Sequence, residues 1–190
     1  MKNLSNFLKL NPDYFYFKYL ICLIPLFFCL IVYFTGNLNF GGIFETTKYT
    51  IIAEHWLGIV EDKIPPSRLP GYPFFIYIVF KIFGSNNLTA LLFIQALFGC
   101  ATFFFILKIL EQLKIKNNLI ILFSIALNFA IIFRFSTFLP NFLFIFLLTV
   151  SIFYLTKFNF EKKLIYFLLF IFYFSLLFLV RPILQYSIFI

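Results

Sequence analysis

The stretch LTALLFIQALFGCATFFFIL, residues 88–107, runs from Leu88 to Leu107 without a single charged side chain. An apolar run of roughly 18 or more residues is long enough to cross the hydrocarbon core of a bilayer as a helix. A helix at the surface of a soluble domain would instead show charge along its outer face. Working outward, Phe17–Thr35, Leu119–Phe138 and Leu164–Val180 meet the same length. Phe142–Thr156 is slightly short, yet it follows Pro140 and contains no charge. Ile183–Ile190 reads as the opening of a further span that the chain does not finish. Composition agrees, with 63% hydrophobic residues and 34 Phe among 190, where a soluble domain is about half apolar. The expectation is an all-α integral membrane protein, a polytopic helical bundle of about five full transmembrane helices plus an incomplete sixth.

The formal charge of +8 raises the alternative of nucleic-acid binding, and the placement of the charges decides against it. With the N-terminus in the cytoplasm, the inner segments hold Lys2, Lys9, Lys18, Lys108, Lys114, Lys116, Lys157, Lys162 and Lys163 against Asp13, Glu111 and Glu161. The outer segments set six cations against four acids. That asymmetry is the positive-inside rule of membrane topology. It places the N-terminus of a multi-pass protein in the cytoplasm. The first span carries no small-x-small cleavage pattern, so it reads as a retained anchor. Cys22, Cys29 and Cys100 fall within apolar runs and read as small apolar side chains, with no disulfide or metal site assigned.

The long outer loop, residues 36–87, carries two helical segments beside the membrane. In Phe44–Val60, Tyr49, Ile52, Ala53, Trp56 and Val60 recur at helical spacing and form one apolar stripe. Glu45, Lys48, Glu54 and His55 lie away from its centre, so Glu54 reads as an ordinary polar-face residue. This predicts an amphipathic helix lying along the interface, with Trp56 as its anchor. The second segment, Pro73–Phe83, is too short to span, and Pro73 suits a first helical position, where its missing N–H is not needed. Before it stands Arg68-Leu69-Pro70-Gly71-Tyr72-Pro73, a Pro-Gly-aromatic-Pro turn in which Pro70, Gly71, Tyr72 and Pro73 shape the loop.

Ionisable groups at the edge of a membrane cannot be satisfied by lipid. Glu45, Glu54, His55, Glu61, Asp62, Arg68, Lys81, Arg134 and Arg181 are therefore the candidates for chemistry, with solvated loop charge or snorkelling as the alternative for each. His55 is the only histidine, and one histidine without partners is not a zinc site. No glycine-rich phosphate loop is present.

The order of these features resembles a known family. An acidic residue at Glu45, Tyr49 four positions on and Ala53-Glu54 are followed by the Arg68–Pro73 turn. A helix ending in Phe83-Gly84 comes next, then a span with Gln95-Ala96-Leu97-Phe98-Gly99. This resembles the GT-C class of membrane glycosyltransferases, of the family 39 type, related to the dolichyl-phosphate-mannose protein mannosyltransferases and the aminoarabinose lipid A transferases. The resemblance covers essentially the whole chain and is most specific over residues 45–99. It implies one module over residues 1–190, the N-terminal transmembrane part of such an enzyme. The implied function is transfer of a sugar from a polyprenyl-phosphate donor to a lipid, glycan or protein acceptor on the outer face.

By the same resemblance Glu45 occupies the position of the catalytic carboxylate, with one methylene more than the family's aspartate. Arg181, followed by Pro182, matches a basic-Pro element that would hold the donor phosphate, and a guanidinium fork suits that group. Arg134 and Arg68 are further candidates for the same task. The family's second outer acid is replaced by Asn141, a poor proton acceptor. A divalent metal is compatible with the resemblance, and no cofactor is assigned. Relatives of this class are usually more than twice as long. The alternative is therefore a truncated remnant without catalysis, or a membrane subunit that binds a polyprenyl lipid or a second polypeptide completing the bundle. A small lipid carrier or flippase is a third class, and it would need more polar residues within the spans than Gln95, Asn128 and scattered Ser and Thr.

Overall fold

The computed structural model describes residues 13–35, 43–61, 69–128 and 138–181. Every regular element among them is a helix: α1 Asp13–Cys22, α2 Ile24–Phe34, α3 Ile43–Trp56, α4 Gly71–Phe83, α5 Leu88–Gln112, α6 Asn118–Ala126, α7 Asn141–Glu161 and α8 Leu164–Val180. Two of these, α5 and α7, are long and apolar enough to cross a membrane, or three if the bent pair α1–α2 counts as one span. The described helices thus fall short of the five spans expected. With 17 residues and about 1.5 Å of rise per residue, α8 reaches roughly 25 Å, less than a core of about 30 Å. The described helix within the expected run Leu119–Phe138 ends at Ala126, and residues 129–137 lie outside the described part, as do residues 182–190 with the expected sixth span.

The first expected span is broken. Tyr16–Cys22 and Ile24–Phe34 meet at 44°, and the cause is Pro25. Proline has no N–H to donate and its ring crowds the preceding turn. The backbone answers with tight bonds, from the Leu23 N–H to the Leu20 carbonyl at 3.0 Å and from the Leu26 N–H to the Leu23 carbonyl at 3.0 Å.

Aromatic packing sets the helix directions. Phe98 meets Phe146 at 4.6 Å between ring centroids, and seven residues further along both helices Phe105 meets Phe153 at 5.1 Å. A seven-residue step is two helical turns, so α5 and α7 run in the same direction with a ladder of packed rings between them. At its end the Thr156 hydroxyl donates to the Gln112 side-chain oxygen at 2.9 Å. Helix α8 returns against α7, pairing Tyr154 with Tyr173 and Phe158 with Phe167. The α1–α2 pair runs opposite to α5, since Tyr19 faces Phe104 while Tyr33 faces Phe93.

These directions sort the polar groups to two ends. Lys18, Lys108, Glu111, Lys157, Glu161, Lys162 and Lys163 gather at one end, where Glu111 takes Lys108 at 3.0 Å and Lys18 at 3.6 Å. The start of α5, the start of α7 and the end of α8 share the other. Between α4 and α5 the chain turns at Gly84, whose φ of 98° is a left-handed conformation that glycine adopts at little cost. Asn87 then joins the two helices. Its amide donates to the Phe83 carbonyl at 3.0 Å and its carbonyl caps α5 through the Ala90 N–H at 3.0 Å. Outward-facing Leu164, Ile165, Leu168 and Phe172 on α8, and Phe27 and Ile31 on α2, are exposed. Such faces are unfavourable in water and satisfied by lipid.

Candidate functional site: the polar end of the bundle

Helix α4 begins at Gly71, two residues before the expected start, with Pro70 before it and Pro73 still within the first turn. Its first turn closes when the Phe74 N–H donates to the Pro70 carbonyl at 2.9 Å. The missing N–H of Pro73 leaves nothing unsatisfied there, because the first N–H groups of a helix have no internal partner. The expectation that Gly71 serves the bend of a turn needs correcting. Gly71 is helical, and what requires it is the neighbouring helix. A methyl group on its Cα would lie 2.6 Å from the Leu179 carbonyl oxygen and 2.8 Å from its carbon. Only a residue without Cβ lets α4 approach the end of α8 so closely. The start of α4 is thereby set against Leu179, two residues before Arg181 in the chain.

Tyr72, next in the chain, is buried at 1% exposure and touches three other helices. Its ring lies edge-on to Tyr49 of α3 at 5.0 Å and edge-on to Phe142 of α7 at 5.8 Å. Its hydroxyl accepts a hydrogen bond from Gln95 Nε2 of α5 at 3.0 Å. Burial pushes the Tyr72 hydroxyl well above its ordinary range, offset in part by the Gln95 hydrogen bond. It is a neutral group at any physiological pH.

Around this hub three buried acceptors are unspent. Gln95 Oε1, Asn141 Oδ1 and Glu54 Oε1 have no hydrogen-bond partner among the described residues. Buried polar atoms nearly always have partners, so these oxygens mark places where this end of the bundle is chemically unsatisfied. Glu54 corrects the sequence reading: it is 8% exposed, not a residue of an open polar face. The reason is that α3 is buried on a wide arc. Tyr49, Ile52 and Ala53 bury the expected stripe, while Thr50 and Glu54, one turn apart, are covered too. The helix ends at Trp56, short of the expected Val60, and His55 folds back with Nδ1 3.1 Å from the Val60 carbonyl oxygen. That contact gives His55 a local structural task at the end of α3.

Of the residues singled out for chemistry, Glu45 lies in the first turn of α3, one turn before Tyr49, with its side chain outside the described part. Arg68 and Arg134 also lie outside the described residues. Arg181 closes α8, where its N–H donates to the Leu177 carbonyl at 3.0 Å. It is partly exposed and forms no ion pair with a carboxylate among the described residues. Asn141 opens α7 directly after Pro140. No group of three or more His, Cys, Asp or Glu that could hold a metal occurs among the described residues. An apolar pocket of about 510 Å³ lies elsewhere, beside the bend, between Tyr19 and Leu23 of the first pair and Cys100 and Phe104 of α5.

The arrangement joins segments far apart in sequence: Tyr49 of α3, Gly71 and Tyr72 at the start of α4, Gln95, the start of α7 and the end of α8. Tyr72 was legible as a loop residue only, and its role as the hub was not. The signal for it was Gln95, the one amide in the charge-free run 88–107, which needs a partner once buried. No family model, no curated protein and no solved structure matches the chain.

Proposed function

We propose that the chain is the N-terminal module of a GT-C-like membrane glycosyltransferase. It moves a sugar from a polyprenyl-phosphate donor to a lipid, glycan or protein acceptor on the outer face of the inner membrane. The observation that carries the reading is the packing of Gly71 against Leu179. It brings the turn on which the resemblance rests to the helix end that bears Arg181. The topology follows from the lysine-rich end, which the positive-inside rule assigns to the cytoplasm. The end with Tyr72, Gln95, Asn141 and Arg181 then faces outward.

In this mechanism Glu45 takes the proton of an acceptor hydroxyl, whose oxygen attacks the anomeric carbon of the donor sugar. The bond from that carbon to the phosphate oxygen breaks, with inversion, and polyprenyl phosphate leaves with the bonding pair. Arg181, helped by Arg134 and Arg68, offsets the charge that grows on the leaving phosphate. A general base must come within about 2.6–3.2 Å of the proton it removes, which is the demand placed on Glu45.

A second reading has its own observation. Asn141 stands where the resemblance asks for an acid, and an amide cannot act as a base. On that reading the chain binds a polyprenyl lipid without turning it over, alone or with a second polypeptide. Binding of polyprenyl phosphate and its sugar-charged form to the purified chain, followed by release of the sugar, separates the two. Binding with release supports the transferase, binding without release supports the non-catalytic subunit, and no binding of either lipid refutes both. Arg181→Ala should weaken binding of both lipids about tenfold or more, in line with the loss of a charge-assisted contact.

A further inference from the structure

The hairpin between α7 and α8 carries more positive charge than its own acids balance. Lys157 Nζ sits 4.8 Å from the centre of the Tyr166 ring and 5.6 Å from that of Phe153. Lys163 Nζ approaches the same Tyr166 ring at 5.8 Å, and Lys162 Nζ lies 5.8 Å from Phe158. One carboxylate serves this group: Glu161 takes Lys163 at 2.9 Å. Lys157 and Lys162 have no ion-pair partner among the described residues.

Ring faces attract these ammonium groups and hold their stems along the helices, but they do not neutralise them. Glu161 answers Lys163 beside the Tyr166 ring, and Lys157 on the same ring is left without an ion-pair partner among the described residues. The surface beside them is apolar and uncovered: Phe160, Leu164, Ile165 and Leu168 are all exposed, Leu164 at 67%. A soluble anion would answer the charge and leave that surface bare. A molecule with a phosphate and acyl chains answers both.

We propose that the α7–α8 hairpin binds the headgroup of an anionic phospholipid, with the phosphate at Lys157, beside the Lys163–Glu161 pair, and the acyl chains along the start of α8. The lipid neutralises the excess charge and fastens the hairpin at the membrane surface. This holds whether or not the polar end of the bundle is catalytic.

The test is titration of the purified full-length chain in detergent with short-chain phosphatidylglycerol or phosphatidylcholine, read by native mass spectrometry. Phosphatidylglycerol should bind at least about tenfold tighter. Lys157→Gln and Lys163→Gln should each weaken it about fivefold, the effect of one basic residue near an anionic lipid surface. Lys157→Arg should keep the preference, which guards against a variant that has merely misfolded. The double substitution Lys114→Gln, Lys116→Gln, past the end of α5, should leave it unchanged. Equal binding of the two lipids would overturn the proposal. So would equal loss in the Lys114/Lys116 double variant, or full retention in Lys157→Gln and Lys163→Gln.

Discussion

Gln95 donates its side-chain N–H to the Tyr72 hydroxyl at 3.0 Å, a hydrogen bond that joins α5 to α4 in the interior. Gln95 is fully buried, so its amide has no solvent to fall back on. Removing one partner therefore costs more than removing both. Tyr72→Phe should destabilise the bundle by about 1–3 kcal/mol by leaving the amide donor unmatched. The double variant Tyr72→Phe, Gln95→Leu should be less destabilised than the sum of the two single variants. Unfolding in detergent by denaturant, run as a double-mutant cycle, measures the difference. Strict additivity would mean that the two side chains do not act as a pair.

Gly71 opens α4 and Gly84 follows its end, and they should respond to Ala for different reasons. At Gly71 the new methyl meets the Leu179 backbone at 2.6 Å, so α4 and α8 must separate. A cost of about 1–3 kcal/mol is expected for such overpacking. At Gly84 the added methyl meets no neighbouring atom within 4 Å, and the cost is confined to the positive φ, about 1–2 kcal/mol. Cysteine cross-linking between the start of α4 and the end of α8 separates the cases. Gly71→Ala should reduce its yield, and Gly84→Ala should leave it unchanged.

Pro25→Ala restores a backbone N–H one turn after the Ile21 carbonyl. The bend of 44° between the halves of the first pair should then decrease. Spin labels placed near Tyr16 and Tyr33 should move apart, as seen in their distance distribution. An unchanged distance would assign the bend to packing against α5 and not to proline.

Hydropathy made some of this legible and hid the rest. Leu88–Leu107 and Phe142–Thr156 lie inside α5 and α7, because long charge-free runs leave the backbone no alternative in lipid. The stripe of Tyr49, Ile52 and Ala53 on α3 was equally readable from its spacing, since one helical face repeats every 3 or 4 residues. Pro25 leaves no mark on a hydropathy profile, which weighs side chains and takes no account of a missing N–H. Glu54 is buried although periodicity assigns it to the polar side, because α3 is covered on a wide arc. Gly71 carried the right identity for an unforeseen reason, a contact with a residue more than a hundred positions away. The meeting of Tyr72 with Gln95 and Phe142 is likewise non-local. No spacing rule within one helix records which side chains another helix brings to it.

Asn141 gives a prediction specific to the polar end. Its buried Oδ1 has no partner among the described residues, so Asn141→Asp places a carboxylate where nothing described here neutralises it. If the site is occupied by a cation or by a hydroxyl-bearing donor when loaded, stability of Asn141→Asp should recover on adding that ligand. The shift in Tm with ligand should exceed that of the native chain. An equal shift in both would show that position 141 does not meet the ligand.

The central claim is sugar transfer from a polyprenyl-phosphate donor, with Glu45 as base. The most direct measurement is release of polyprenyl phosphate from a sugar-labelled donor in membranes bearing the native chain or Glu45→Gln, at equal inserted amounts. The native chain should release the lipid phosphate and label an acceptor, and Glu45→Gln should do neither. Unchanged turnover in Glu45→Gln would contradict the account.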